Sequence, residues 1–387
     1  MRKIAVFTGT RADYSRLYSV MKAIHEHSDL ELSVIAAGMH LIEKHGLTLN
    51  QIEQDGFKVD RKVYTLIEGE TLETMTKSVG LTVTEMATVL QNLKPDILVV
   101  HGDRFEVMGA AVAGAMMNIP VAHIQGGEVT GSVDESLRHA ITKLSHIHLP
   151  SNQDAADRLL RMGELPESIH IVGCPMVDNL LQRQKMSRNE VFASPLISIE
   201  KDVIQYDPAE PFLLVMYHPV TSEVDKLYHQ ASTLLKAVVR TGMQAIWLWP
   251  NADAGAREVV NAIKTEDGFF RENSRVGFYR NLPVDLFLSA LDHCACLVGN
   301  SSTGMREACY FGVPVVNVGT RQNGRLRTSN IVDVPHDEEI IFKAIVAQCE
   351  KGRYPIEPVY GEGNTGRKIA ELLATIRYPS PQKRLAY

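Results

Sequence analysis

The chain has 387 residues, long for one hydrophobic core and comfortable for two. Hydrophobic residues make up 45% and charged residues 22%, the balance of a folded globular protein. A formal net charge of -6 argues against nucleic acid as a partner, while leaving room for a local basic site for one phosphorylated ligand.

The first apolar run, in MRKIAVFTGT, is too short for a signal peptide and ends in Gly-Thr-Arg rather than a small-residue cleavage site. No stretch approaches the roughly 20 apolar residues of a membrane helix, so no membrane partner is expected. The cysteines are Cys174, Cys294, Cys296, Cys309 and Cys349. An odd set without framework spacing suits reduced thiols and a cytoplasmic protein. Cys294-Ala-Cys296 alternates like a strand inside an apolar run and lacks the second ligand pair of a zinc site, so no metal is expected.

Apolar runs predict strands at KIAVFTG, LSVIAAG, DILVVHGD, IPVAHIQGG, HIHLPS and IHIVGC, then at FLLVMYH, QAIWLWP, CACLVGNS and VPVVNVG. Most are continuous rather than alternating, as in parallel sheets covered on both faces. SRLYSVMKAIHEH and DLFLSALDH carry apolar residues at helical spacing. Repeated strand–helix units imply right-handed crossovers and doubly wound sheets. The segment from about Gln182 to Pro211 is polar and irregular, with Pro195, Pro208 and Pro211, and strands restart at Phe212. The expected fold class is therefore α/β, with two Rossmann-like domains facing a central cleft and a boundary after IVGCPMVDNLL.

Ligands of open parallel sheets sit beyond the carboxyl ends of the strands, and there the polar clusters lie. Gly9-Thr10-Arg11-Ala12-Asp13-Tyr14-Ser15 follows the first strand. It lacks GxGxxG, yet a strand entering a helix offers free N–H groups and a positive dipole end to a phosphate, with Arg11 as a bidentate grip. The competing reading makes Thr10 or Asp13 a helix cap and leaves Arg11 solvated. His101-Gly102-Asp103-Arg104 and Gln125-Gly126-Gly127-Glu128, with Asp134-Glu135 and Arg138-His139 beyond, follow two further strands. Converging, Asp103, Glu128 and Asp134 with Arg104 and Arg138 as counter-charges would supply one acid and one base. The alternative is loop polarity, with Asp134 capping a helix from about Glu135. Gly126-Gly127 implies close backbone approach to something.

In the second half, His218-Pro219-Val220-Thr221 follows FLLVMY, and His218 either points into the cleft or is merely hydrogen-bonded at the strand end. Gly299-Asn300-Ser301-Ser302-Thr303-Gly304-Met305-Arg306-Glu307 opens a helix and suits a phosphate cradle, with Glu307 one turn on for ribose hydroxyls. Gly319-Thr320-Arg321-Gln322 offers Arg321 to a diphosphate.

GTRADYS, HGDRFE, GGEVTGSVDESLRHAITKLSH, GCP, HPVT, GNSSTGMREA, FGVPVVNVGTRQ and YGEGNT, in that order along nearly the whole chain, resemble the UDP-N-acetylglucosamine 2-epimerase family. Within it they are similar to the hydrolysing branch, which makes N-acetylmannosamine for sialic acid synthesis. The resemblance implies the glycosyltransferase-B-like pair of Rossmann domains, here 1–180 and 181–370, with 371–387 packing back toward the first. It also implies a homodimer or homotetramer, a UDP-sugar as ligand, and no cofactor. Arg11, Ser15 and Arg104 would attend the diphosphate from the first domain. His218, Ser301, Ser302, Glu307 and Arg321 would hold UDP from the second, with Glu307 on the ribose. Asp103, Asp134 and Arg138 would surround the sugar, with Glu128 nearby. Many relatives carry Glu where this chain has Gln125, and an amide cannot act as an acid or base.

The implied chemistry needs UDP to leave first, because the C2 proton is not adjacent to a carbonyl. Elimination gives a 2-acetamidoglucal, and water at C1 with a proton on the other face of C2 gives the epimerised free sugar. Proton transfer is expected of Asp103 and Asp134, with Glu128 third. The same motifs suit a sibling acting on UDP-2,4-diacetamido-2,4,6-trideoxyglucose for legionaminic acid. A non-hydrolysing epimerase is disfavoured by GTRADYS and HGDRFE. A glycosyltransferase of this fold leaves the acidic residues unexplained, and a silent UDP-sugar sensor leaves them unused.

Overall fold

The computed structural model describes residues 1–386 apart from 44–45, 70, 132, 195–205, 251–254, 271–274, 280–281 and 378–379, with backbone alone at 266–270. In the first unit β1 (Arg2–Thr8) pairs in parallel with β2 (Leu30–Ala37) and β4 (Ile97–His101). With β3 (Val59–Val63), β5 (Val121–Ile124) and β6 (Ile147–Leu149) they form a sheet of order β3-β2-β1-β4-β5-β6. The continuous apolar runs mark strands buried on both faces. Ile4 and Val6 enter one core with Leu17, Val20 and Ile24, while Ala5 and Phe7 enter another with Leu98 and Val100. Each such Leu, Ile or Phe removed from water contributes about 1.5–3 kcal/mol.

The helices of this unit are α1 (Arg11–Glu26), α2 (Leu49–Gln54), α3 (Leu72–Leu93), α4 (Phe105–Met116), α5 (Asp134–Leu144), α6 (Gln153–Arg161) and α7 (Pro175–Gln182). The second unit carries α8 (Arg188–Ala193), α9 (Leu227–Arg240), α10 (Ala256–Phe270), α11 (Val284–His293), α12 (Thr303–Arg306) and α13 (Glu338–Lys351). Its strands are β7 (Phe212–Met216), β8 (Gln244–Leu248), β9 (Val276–Tyr279), β10 (Cys296–Gly299), β11 (Val315–Val318) and β12 (Ile331–Val334). Their order is β12-β11-β10-β7-β8-β9. Counted from β7, this repeats the 3-2-1-4-5-6 order of the first sheet. Both sheets therefore have the doubly wound order of Rossmann folds, and each reverses direction beside its first strand: between β1 and β4, and between β7 and β10.

The first unit takes in 1–129, 133–181 and 360–387, and the second takes in 130–132 and 182–359. The chain thus returns to the first unit at Tyr360, ahead of the residue 371 read from the sequence. There α14 (Thr365–Thr375) packs on α1 with Gly366 against the Ser19 carbonyl, where a Cβ would lie 2.3 Å from the oxygen. Asn364 gives α14 no side-chain cap. The carboxylate of Asp178 on α7 takes that place, accepting from Thr365 N at 2.8 Å and Gly366 N at 2.7 Å.

Several sequence expectations need correction. IHIVGC is not a strand: only an isolated bridge joins Ile169 to His148. The edge strands β3, β9 and β12 lie outside the runs expected from the sequence: half-exposed VDRKV and IVDV carry charges where a buried strand has none, and VGFY is a short run weakened by its glycine. The polar 182–211 segment holds α8, and Pro195 lies outside the described residues. Cys294 ends α11, so only Cys296 of the Cys-Ala-Cys run is in a strand.

Candidate active site

Where the first sheet reverses, the chain leaves β1 through Gly9. Thr10 caps α1, accepting the Asp13 N–H at 3.2 Å. Asp13 is then free to turn back. Its Oδ2 accepts the Gly9 N–H at 3.2 Å, and its Oδ1 lies 2.6 Å from His101 Nδ1 at the end of β4. His101 Nε2 lies 2.9 Å from Gln125 Oε1 at the end of β5, and Gln125 Nε2 donates to Cys174 Sγ at 2.9 Å. One buried chain of side chains therefore ties together the carboxyl ends of β1, β4 and β5. The sequence offers Asp13 only as an alternative cap of α1, a place Thr10 takes, and gives His101 no role of its own within its cluster. Arg11 opens α1, and burial pushes its guanidinium down to about 10, which leaves it charged near neutrality. Ser15, one turn along the same helix face, donates to the Ala12 carbonyl at 3.0 Å.

The carboxylate of Asp103, two residues after β4, forms an ion pair with Arg138 of α5. Arg138 is 1% exposed and also donates to the Glu128 carbonyl at 2.9 Å. Asp103, Arg138 and the Glu128 main chain are thereby brought together. The Glu128 carboxylate accepts from Ser151 Oγ at 3.1 Å. Asp134 is the first residue of α5 and not its cap, and lies one turn from Arg138 on the same face. Arg104 pairs with buried Glu106 at 3.2 Å and lies over the Phe105 ring at 5.2 Å.

The close approach expected at Gly126-Gly127 is to the protein itself. A Cβ on Gly126 would meet His123 Nδ1 at 2.9 Å, and one on Gly127 would meet the Ala155 carbonyl at 2.4 Å. His123 is fully buried and holds the Gly102 carbonyl at 2.7 Å; burial drives its imidazole down to about 3, so it is neutral.

In the second sheet the corresponding edge is built on Asn300. Gly299 ends β10 at φ +131, and a Cβ there would lie 2.1 Å from the Met216 carbonyl. Asn300 Nδ2 donates to the His218 carbonyl at 2.8 Å, and its Oδ1 accepts the His218 N–H at 2.7 Å. Its own carbonyl accepts from Arg321 at 3.2 Å and Gln322 at 2.8 Å. One asparagine thus joins the ends of β7, β10 and β11, bringing His218, Ser301 and Arg321 to one edge. Sequence reading gave it no such role, since an Asn after Gly looks like ordinary turn chemistry. Ser301 Oγ accepts the Thr303 N–H at 3.3 Å, and Ser302 stands at the cap position of α12. The helix expected there is a single turn, with buried Glu307 at its end. Gly131, which belongs to this unit, donates to the Arg321 carbonyl at 3.0 Å.

Among the described residues no helix is long and apolar enough to cross a membrane, and no three His, Cys, Asp or Glu side chains are grouped to hold a metal ion.

Two doubly wound sheets, each gathering polar side chains where its strand order reverses, place the chain in the glycosyltransferase-B-like fold class. A solved structure of UDP-GlcNAc 2-epimerase from Methanocaldococcus jannaschii in complex with UDP-GlcNAc and UDP has this fold, with a TM-score of 0.79 at 19% identity over 96% of this chain and 99% of that one. The chain belongs to the UDP-N-acetylglucosamine 2-epimerase family, whose model matches residues 22–374. It is 35% identical over 376 residues to a UDP-N,N'-diacetylbacillosamine 2-epimerase (hydrolyzing) of Legionella pneumophila, covering 97% of this chain and 96% of the relative. It is 33% identical over 391 residues to a UDP-N-acetylglucosamine 2-epimerase of Neisseria meningitidis, covering 99% and 98%.

Proposed function

We propose that the protein is a hydrolysing 2-epimerase that converts UDP-N-acetylglucosamine and water to N-acetylmannosamine and UDP. The observation that carries this is the Asp103–Arg138 pair at the end of β4: a carboxylate held in place by a buried guanidinium, on a chain that matches this family along nearly its whole length. In the first step the C1–O bond breaks and its electron pair leaves with the β-phosphate, and a carboxylate, Asp103 or Asp134, then takes the C2 proton of the electron-poor sugar. The product is the 2-acetamidoglucal. In the second, water adds its hydroxyl to C1 and C2 is protonated on the opposite face. Arg11, Arg104, His218, Ser301, Ser302 and Arg321 are assigned to the diphosphate and Glu307 to the ribose. Their charges and hydroxyls favour departure of the anion.

The test is an NMR product assay with UDP-N-acetylglucosamine in deuterated water. Free N-acetylmannosamine deuterated at C2, together with UDP, is expected. UDP-N-acetylmannosamine as the product would replace this reading with the non-hydrolysing one. Asp103→Asn is expected to lower UDP release at least about 100-fold, and near-normal turnover would remove Asp103 from its role. A second reading, UDP-2,4-diacetamido-2,4,6-trideoxyglucose as substrate, is favoured by the name of the Legionella relative. Parallel turnover of both sugars decides between them.

A further inference from the structure

Gln125 occupies a position that acid–base chemistry at the end of β5 would give to a carboxylate, and its surroundings indicate another use. It is 1% exposed, and both ends of its amide are engaged, Oε1 with His101 and Nε2 with Cys174. Its backbone is held at φ +63, a left-handed conformation that costs a residue with a side chain about 1 kcal/mol or more. His101, in turn, is fixed from its other nitrogen by Asp13. Between His101 and Asp103 lies only Gly102, whose N–H donates to the Ile124 carbonyl at 3.0 Å and whose carbonyl is held by His123 at 2.7 Å. The backbone that presents Asp103 is thus clamped at every step before Asp103 itself.

We propose that Asp13, His101 and Gln125 are positioning residues for Asp103, and that Gln125 serves as the hydrogen-bond partner of His101 and moves no proton. The carboxylate of Asp13 accepts from one ring nitrogen and the Gln125 amide bonds the other. The ring cannot rotate without breaking one of the two bonds, and its Cα carries the Gly102-Asp103 turn with it. The effect reaches the substrate only through Asp103, so it belongs to the chemical step rather than to binding. This rests on the epimerase reading above.

The experiment compares Gln125→Glu, Gln125→Leu, Asp13→Asn and the double variant Asp13→Asn/Gln125→Leu, with UDP release resolved into kcat and KM and a thermal melt of each. Gln125→Glu keeps the acceptor and is expected to hold kcat within about 3-fold. Gln125→Leu and Asp13→Asn are expected to lower kcat about 30- to 100-fold with KM little changed, the scale of a small misplacement of a reacting group. The double variant is expected to lose little more than either single one, because the residues act as a unit. Wild-type kcat in Gln125→Leu, or losses that multiply in the double variant, would overturn the proposal. So would a rise in kcat in Gln125→Glu accompanied by a new limb in its pH profile. A readout without substrate separates this failure from that of the epimerase reading: in histidine-15N protein the His101 Nδ1–H gives a slowly exchanging resonance that Asp13→Asn removes. Its absence from the wild type sinks the positioning role whatever the turnover.

Discussion

Arg138 joins two parts of the first unit's site with one side chain. Buried beside Asp103 and the Glu128 carbonyl, it takes one donor from each when removed. Breaking a buried pair by removing one partner costs about 3–5 kcal/mol in general, and part-exposed Asp103 places this pair at the lower end of that range. Arg138→Leu is therefore expected to lower the urea midpoint clearly and turnover by at least about 100-fold. Arg138→Lys, a point charge in place of a planar fork, should recover only part of the activity. Asn300 is the counterpart in the second unit. Asn300→Ala removes the two hydrogen bonds that its side chain makes to the His218 main chain, each such loss costing about 1–3 kcal/mol when buried. Calorimetry should show UDP affinity reduced about 10-fold or more, and unchanged affinity would release Asn300 from that role. Asp103 and Arg138 were legible in the sequence because a residue after a strand and a residue on a helix face can be placed from local pattern alone. Asp13 and His101 were not. They meet across 88 residues, and nothing local to either shows that strand pairing will bring them together.

At the scale of elements, the central strands were readable, and of the four sheet edges only β6 was. A strand buried on both faces announces itself as Val, Ile and Leu in a row, whereas β3 and β12 must blunt a sheet edge with Lys, Arg or Asp and so resemble loop. The turns after the strands depend on glycines whose need is steric. Gly127 sits at φ +79 with the Ala155 carbonyl 2.4 Å from where its Cβ would be. Gly127→Ala adds a clash to a strained backbone and is expected to cost at least about 2 kcal/mol, read as a fall in the denaturant midpoint with an unchanged slope. A stability equal to wild type would mean that α6 yields to accommodate the methyl group.

On the scale of the whole molecule, residues 380–386 are bound to the first unit by an acid. Glu164 is buried, which alone would raise its carboxyl. Hydrogen bonds from His148 at 2.8 Å and from Lys143 and Lys383 at 2.6 Å outweigh that and hold it down to about 2. The Ala386 N–H donates to the Gly163 carbonyl close by. A carboxyl whose folded value lies below its ordinary 4.5 stabilises fully above that pH, and the contribution is lost as pH falls from there toward about 2. The melting temperature of the wild type should therefore fall more steeply across that window than that of Glu164→Gln, and parallel curves would refute the assignment.

The return of the chain at Tyr360 also bears on how the protein is made. The ribosome delivers residues 1–181 first, yet α14, which covers α1 and is capped by Asp178, emerges only after 182–359. The unit begun first is thus the one finished last. Until then the face of α1 that α14 covers is open to water and to chaperones. The second unit, contiguous apart from 130–132, has no such wait.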